Sequence, residues 1–515
     1  MISVAQLPRN EKLELLAKLE EKARRSLIAF TKYTKPSYKV GWFNRLLARE
    51  LDRFLADVVA LKCPRLIIEA PPRHGKSELA SRRFPAYALG RYPDMSIIAT
   101  SYSSDLASAM NRDVQRVIDS FEYHTLFPDT TLWGSNIRTI ADGSYLRNSD
   151  EFEIVGKQGR YKSAGVGAGV TGRGGHVLII DDPIKDAADA ASDTVRKGIW
   201  DWFTSTLYSR QEPGAGILLI MTRWHLDDLA GRLIANMEHG GEQWKIIRFP
   251  AIAEEEEYDE DGTLLRHIGE ALHRARYDEA ALERIKVGTA DEVGVGSRVW
   301  TALYQQRPVA AEGNIFRREN WRFLRPPQPL DAMPYSARMT YLRSLGINVI
   351  QQSWDTALGG KKKHDYTACT TLGIAPNRYY VLDVWRGQLA FPDALKQVEL
   401  LYDQWKPNKV VVEGGGSASG KATVQMLSRS TRIPFKEVPT TTDKVFRADT
   451  ISPTHEAGLI TIIEGGAWQA TFIDQCANFP SIKHDDDVDS FIIGMEAATK
   501  TSRMQISDEL LARLG

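Results

Sequence analysis

The chain has 515 residues, enough for two or three domains at roughly 150 residues each, and its 43% hydrophobic and 26% charged content is that of an ordinary globular protein, which excludes a disulfide mini-protein, a fibre or a disordered chain. No apolar stretch is long enough to span a bilayer, and the three cysteines, Cys63, Cys369 and Cys476, are too scattered for a disulfide framework or a CxxC metal pair, so each is expected as a buried filler in a reducing compartment. Lys plus Arg (66) balances Asp plus Glu (66), yet residues 251–300 hold 13 acids against 6 bases, which leaves a modestly basic remainder that permits a nucleic-acid partner without requiring one.

The N-terminal stretch MISVAQLPRNEKLELLAKLEEKARR reads as a charged amphipathic helix without the apolar core of a secretory signal, and a cytoplasmic protein is expected. Residues 1–60 are predicted helical, with GWFNRLLARELDRFLADVVALK spacing its apolar positions three and four apart. From 61 to 250 the runs RLIIEA, MSIIATSY, HVLIIDD and GILLIMT alternate with helical sequence. Uninterrupted aliphatic runs are what a parallel sheet covered on both faces requires. Segment 251–345 is expected to be a connector or lid, acidic at EEEEYDEDG and proline-rich at RPPQPLDAMP. Its charge run reads first as a solvated loop, with partner docking or a restraining role as the alternative. Strands return over 346–500 as INVIQQSWD, TACTTLGIA, RYYVLDVWRG and KVVVEGGG, closing with an apolar helix at Val488 to Ala497, and 501–515 form a tail. The prediction is two α/β domains joined by a linker, the first with a mostly parallel sheet covered by helices on both faces.

The first chemistry lies where RLIIEA runs into Ala70-Pro-Pro-Arg-His-Gly-Lys-Ser77 and a helix. A phosphate loop needs a strand, a turn whose backbone N–H groups wrap a phosphate, a Lys for the β/γ-phosphates and a hydroxyl for Mg²⁺. Arg73, His74, Gly75, Lys76 and Ser77 supply that set for ATP, with Ala70 in place of the usual first glycine. HVLIIDD then offers Asp181 as the acid on the metal side and Asp182 as the acid that orients water. The strand GILLIMT ends at Thr222 and Arg223, where the γ-phosphate is coupled to movement. Arg73 and Arg173 are candidates for stabilising transition-state charge, with Arg160 as a second candidate acting on a neighbouring protomer. Tyr38, Trp42 and Phe43 read as core aromatics, with base stacking as the alternative.

A second set of acids stands at Asp355, Glu413 and the group Asp485, Asp486, Asp487 and Asp489. Acids at two strand ends and one helix start converge on a pair of divalent ions, Mg²⁺ or Mn²⁺, in phosphodiester hydrolysis, which is the RNase H-like nuclease layout. The fold expected is therefore an N-terminal P-loop NTPase domain linked to a C-terminal RNase H-like α/β nuclease domain. Asp355, Glu413, Asp485, Asp486 and Asp489 are the expected ligands, with Asp355, Glu413 and Asp486 catalytic; which of the last group face inward is open. Asp365 is a peripheral acid, and the Lys361 to His364 run is placed to meet a DNA phosphate or to sit as a solvated tip.

APPRHGKSE, IIDDPIKD, MTRWHLDDLAGRL, YQQRP and HDDDVD, in that order from about residue 30 to 500, resemble the large terminase subunit of tailed bacteriophages. The resemblance implies a motor that packages double-stranded DNA into a procapsid and an endonuclease that cuts concatemeric genomes. It places the phosphate loop on Arg73, Gly75, Lys76 and Ser77, the acid pair on Asp181 and Asp182, the coupling residues on Thr222 and Arg223, and the nuclease acids on Asp355, Glu413, Asp485, Asp486 and Asp489. It also implies a portal protein and a small terminase subunit as partners, a homo-oligomeric ring on the portal, no membrane, and action in the host cytoplasm rather than in the mature virion. A helicase-like or repair ATPase fused to a nuclease, and a non-catalytic assembly scaffold, are the rival readings.

Overall fold

A computed structural model describes residues 8–133, 137–138, 145–170, 172, 174–289, 293–309, 315–355, 366–389, 391–415, 426–440, 444–482 and 485–499. The chain divides into two compact units, Met1–Glu283 with Arg298–Val309, and Arg284–Ser297 with Ala310–Gly515.

The first unit opens with helices α1 (Arg9–Arg25), α2 (Leu27–Thr34) and α3 (Trp42–Val59). On α3 the spacing read from the sequence puts Phe43, Leu47, Leu51, Phe54, Leu55 and Val58 on one buried face. Seven strands follow: β1 (Arg65–Glu69), β2 (Ser96–Ser101), β3 (Glu151–Glu153), β4 (Arg160–Gly165), β5 (Gly175–Asp181), β6 (Gln211–Met221) and β7 (Lys245–Arg248). Their order across the sheet is β3-β4-β2-β5-β6-β1-β7, parallel throughout except for the β3–β4 pair. Alternate side chains go to opposite faces: Leu66, Ile68, Leu218 and Ile220 join the core shared with α3, while Ile67, Ile217 and Leu219 join a second core. Both faces are apolar, which is why the strands carry no polar alternation. After β1 a short π-helical turn (Glu78–Arg83) leads into α4 (Phe84–Arg91), and α5 (Leu229–Glu238) follows β6.

The second unit is built on β8 (Arg322–Leu324), β9 (Val349–Asp355), β10 (Thr367–Ala375), β11 (Arg378–Gly387), β12 (Lys409–Gly415), β13 (Phe435–Thr440) and β14 (Ile460–Ile463), in the order β8-β14-β11-β10-β9-β12-β13. β9, β10 and β11 form an antiparallel meander, and the other pairings are parallel. Helix α6 (Lys444–Glu456) and a last helix, α7, over residues 486–499 complete the part that bears on function. Val488, Phe491, Ile492, Ile493 and Met495 on α7 are fully buried. Gly494 lets α7 close on the sheet, since a Cβ there would stand 2.5 Å from Ser353 Oγ.

Two expectations change. Cys63 is exposed in the turn after α3, at φ 51°, because it follows the last buried helical position; only Cys369 and Cys476 are buried fillers. The stretch 251–345 is shared: 251–283 and 298–309 belong to the first unit, 284–297 and 310–345 to the second. Nor is its acidic run a free loop. Glu257–Tyr258 and Leu264–Arg266 pair antiparallel, and Glu254, Glu257 and Glu260 bind Arg307 at 2.6 Å, Arg266 at 2.5 Å and Arg53 at 2.6 Å. Among the described residues no helix is long and apolar enough to cross a membrane.

Candidate active sites

Parallel register brings the C-terminal ends of the central strands together: Glu69 lies opposite Met221, and Asp181 opposite both Ile220 and Ser101. The loops that leave these ends are therefore neighbours. Gly75 stands at φ 96°, a conformation that favours glycine, while Arg73 (φ 60°) and Asp182 (φ 45°) hold left-handed backbone with side chains, a strain concentrated at this point. Lys76 is 5% exposed, and its Nζ donates to Thr222 Oγ1, faces Asp182 Oδ2 at 3.1 Å and reaches Ala70 O at 3.5 Å. Asp182 Oδ1 accepts the Thr222 N–H at 2.8 Å, and the Thr222 hydroxyl donates to Ala70 O at 3.1 Å. The lysine, the second acid and the strand-end threonine thus form one closed network.

Ser77 Oγ donates to Asp181 Oδ1 at 3.1 Å, and Asp181 Oδ2 is buried with no hydrogen-bond partner within 3.5 Å among the described residues. Burial, and then the neighbouring Asp182, raise the Asp181 carboxyl above the usual range. A hydroxyl beside an orphaned carboxylate oxygen is a donor set that fits Mg²⁺. Around these groups opens a cleft of ≈740 Å³, lined also by Arg73, Arg276 and Tyr277. His74 is buried, with Nδ1 2.9 Å from Pro72 O and its ring 5.1 Å from that of Tyr277; burial first lowers its pKa to about 4, so it shapes the loop as a neutral group.

The remaining nucleotide-side candidates separate. Arg223 lies outside the cleft, 3% exposed, bound to Glu69 at 2.6 Å and to Asp228, the N-cap of α5, at 2.9 Å. Arg160 pairs with Ser96 at the first residues of β4 and β2, the opposite sheet edge from the phosphate loop of its own chain. Arg173 lies outside the described residues. Trp42 and Phe43 pack on Phe249, as core aromatics do, and the Tyr38 hydroxyl accepts from Asn44 close to Gly75.

In the second unit Trp354 is in parallel register with Val412, so Asp355, the last residue of β9, and Glu413, on β12, lie side by side. Asp355 is raised well above the ordinary carboxylate range, by burial first and then by Asp489, Glu413 and Asp486. Asp489 is pushed up to about 7, by burial and then by Asp485. Asp487 turns elsewhere, accepting from Gln475 at 3.0 Å with Arg386 at 3.8 Å. The i, i+3 and i+4 spacing of α7 separates Asp485, Asp486 and Asp489 from it. Two cations from α6 answer the acids: Lys444 binds Asp485 and reaches Asp489 at 3.5 Å, and Arg447 binds Glu413 and Glu496, each at 3.0 Å. Among the described residues no group of three or more acidic, His or Cys side chains is set in metal-ligand geometry. What fits a divalent cation is the donor chemistry, half-buried carboxylates of which Asp355 and Asp489 are raised by burial and by their acidic neighbours. Asp365, and Lys361 to His364, lie outside the described residues.

Sequence reasoning passed over Arg276 and Tyr277, which sit just past the acidic run, and Lys444 and Arg447, whose i, i+3 spacing in DKVFRAD was the available signal. The two glutamines of YQQRP are likewise structural: Gln305 clasps the Ile252 N–H and C=O at 3.0 and 2.9 Å, and Gln306 Oε1 accepts the Arg223 N–H at 3.1 Å.

Residues 67–323 match the family model described as terminase large subunit, T4likevirus-type, N-terminal, and residues 352–497 match the terminase RNaseH-like domain. No curated protein sequence matches the chain. Similar solved structures include a large terminase from a thermophilic bacteriophage, 11% identical with a TM-score of 0.45 over 86% of this chain and 97% of that one. The bacteriophage HK97 large terminase is 10% identical with a TM-score of 0.35 over 92% and 99%. The magnesium-bound large terminase nuclease of thermophilic phage G20c is 16% identical with a TM-score of 0.23 over 28% and 79%. The mostly parallel first sheet and the mixed second sheet are those of a P-loop NTPase joined to an RNase H-like unit. With both of its halves matched in the family's order, this chain belongs to the large terminase subunits.

Proposed function

We propose that this terminase subunit hydrolyses ATP in the first unit to drive double-stranded viral DNA into a procapsid, and cuts concatemeric DNA at the acids of the second. The observation that carries the reading is the network of Lys76, Asp182 and Thr222 beside Ser77 and Asp181, at adjoining strand ends over an open cleft. Lys76 passes from Asp182 and Thr222 to the β/γ-phosphates of bound ATP, which frees Asp182 to orient water. The same exchange alters the hydrogen bonding of Thr222 at the end of β6, and so couples phosphate occupancy to the sheet. Arg73, Gly75 and the amide of His74 enclose the phosphates, and Arg73 together with Arg173 offsets the charge that develops.

Ser77 and Asp181 hold the ion that accompanies ATP, and Asp355, Glu413, Asp485, Asp486 and Asp489 hold those of the nuclease. Divalent ions bound there, Mg²⁺ or Mn²⁺, neutralise phosphate charge and activate water. Lys444 and Arg447 keep the nuclease carboxylates apart from one another's charge until the ions arrive. Portal protein, small terminase subunit and further copies in a ring are the proposed partners, acting in the host cytoplasm.

Lys76→Ala is expected to abolish ATPase activity while leaving metal-dependent cutting intact, and Asp355→Ala to do the reverse. Both activities are measured on each variant, with circular dichroism as the check on folding. Loss of both activities in either folded variant rejects two separate sites.

A further inference from the structure

The phosphate cleft contains a cation that the phosphate loop itself does not supply. Of its basic residues besides Arg73 of the loop, Lys76 is engaged by Asp182, Arg82 by Asp113 at 2.7 Å and Lys185 by Asp186 at 3.7 Å. Arg276 forms no ion pair with any carboxylate among the described residues; its Nη1 donates to Arg73 O at 2.6 Å. That carbonyl is presented by the left-handed turn at Arg73. The guanidinium lies over the centre of the loop, 3.6 Å from where a Cβ on Gly75 would stand.

The turn that carries it is anchored on both sides. Arg276 N and Tyr277 N donate to His273 O at 2.8 and 2.9 Å, the His273 ring packs against Phe43 at 5.4 Å, and Tyr277 covers His74. A guanidinium has five N–H donors, and one accepted bond leaves the others for a ligand. Planar, permanently charged and preorganised, it is suited to the oxygens of a phosphate chain.

We infer that Arg276 is a further phosphate-binding residue, donating to the phosphate tail of the nucleoside triphosphate from outside the phosphate loop. The inference rests on the phosphate-loop reading. It is tested on the full-length chain by calorimetric titration with adenosine 5′-(γ-thio)triphosphate and Mg²⁺. Arg276→Gln retains an amide donor for Arg73 O but removes the charge, so the anchored turn persists. Its Kd is expected to rise about tenfold or more, as loss of a charge-assisted phosphate contact gives. The unfolding midpoint without nucleotide stays at the wild-type value. Arg274→Gln, two residues away and paired with Glu279 outside the cleft, keeps wild-type affinity.

Arg276→Gln binding within about twofold of wild type, or melting lower without nucleotide, overturns the inference and leaves Arg276 a structural latch. Lys76→Ala separates the two levels. If it loses binding while Arg276→Gln does not, only the role of Arg276 falls; if it binds as wild type, the phosphate-loop reading falls and the inference with it.

Discussion

Glu69 and Asp228 are both 0% exposed, and each has a carboxylate oxygen on Arg223. Two buried charges can persist there because one guanidinium, itself 3% exposed, satisfies both, with Arg248 adding a 2.7 Å contact to the other oxygen of Glu69. The triad joins the last residue of β1, one step before the phosphate loop, to the cap of α5. Arg223→Ala leaves uncompensated buried carboxylates and is expected to cost about 3–5 kcal/mol of unfolding free energy. Denaturant unfolding checks this, and a loss below about 1 kcal/mol, the size typical of an exposed pair, rejects the triad as a clamp. Position after a strand-end threonine gave Arg223 a coupling role in the sequence reading; its partners are acids brought from 154 residues upstream and five downstream, which no local pattern discloses.

At the scale of elements, helix ends set a further test. Asp52 on α3 accepts the amide of Leu27, the first residue of α2, at 3.1 and 3.2 Å, so one helix caps another. Burial, countered in part by that bond, pushes the Asp52 carboxyl up to about 6. The unfolded chain titrates Asp near 3.9, so between about pH 4 and pH 6 the folded state binds more protons, and this group's contribution to stability falls as pH rises through that window and is level above it. Asp52→Asn keeps an oxygen for Leu27 and removes the charge. Relative to wild type it is expected to gain about 1 kcal/mol between pH 4 and pH 7, with allowance for partial exposure. Urea unfolding at both pH values decides; a difference that does not change with pH rules the argument out.

The strands themselves were legible, because RLIIEA, HVLIIDD and KVVVE are buried on both faces and so read as unbroken aliphatic runs. Ser77 beside Asp181 followed from the same logic, since parallel strands deliver their ends to one edge. Arg276 and Tyr277 were not legible. The acidic run before them looked like a solvated connector, and only the pairing of its carboxylates with Arg53, Arg266 and Arg307 folds it back over the loop.

At the scale of the whole molecule, each unit has its own core and its own strand-end site, but the chain does not pass once from one unit to the other. It leaves the first unit after Glu283, returns for Arg298–Val309 and leaves again. The returning stretch supplies what a cut at residue 250, the boundary read from the sequence, would remove: Tyr304 O accepting the Ala251 N–H at 2.7 Å, the Gln305 clasp on Ile252, and Gln306 Oε1 on the Arg223 N–H. Gln306 is fully buried at φ 55°, a conformation held only because its side chain is satisfied there. A fragment of residues 1–309 therefore keeps the Arg223 N–H bonded to Gln306, whereas 1–250 leaves that N–H unbonded and removes Leu272 from the core shared with α3. The longer fragment is expected to unfold cooperatively and bind ATP within about threefold of the full chain, while the shorter one melts several degrees lower or aggregates, as losses of about 1 kcal/mol per buried hydrogen bond add up. Differential scanning calorimetry on both fragments decides the matter: equal midpoints would mean that residues 298–309 are an appendage to the first unit and hold none of it together.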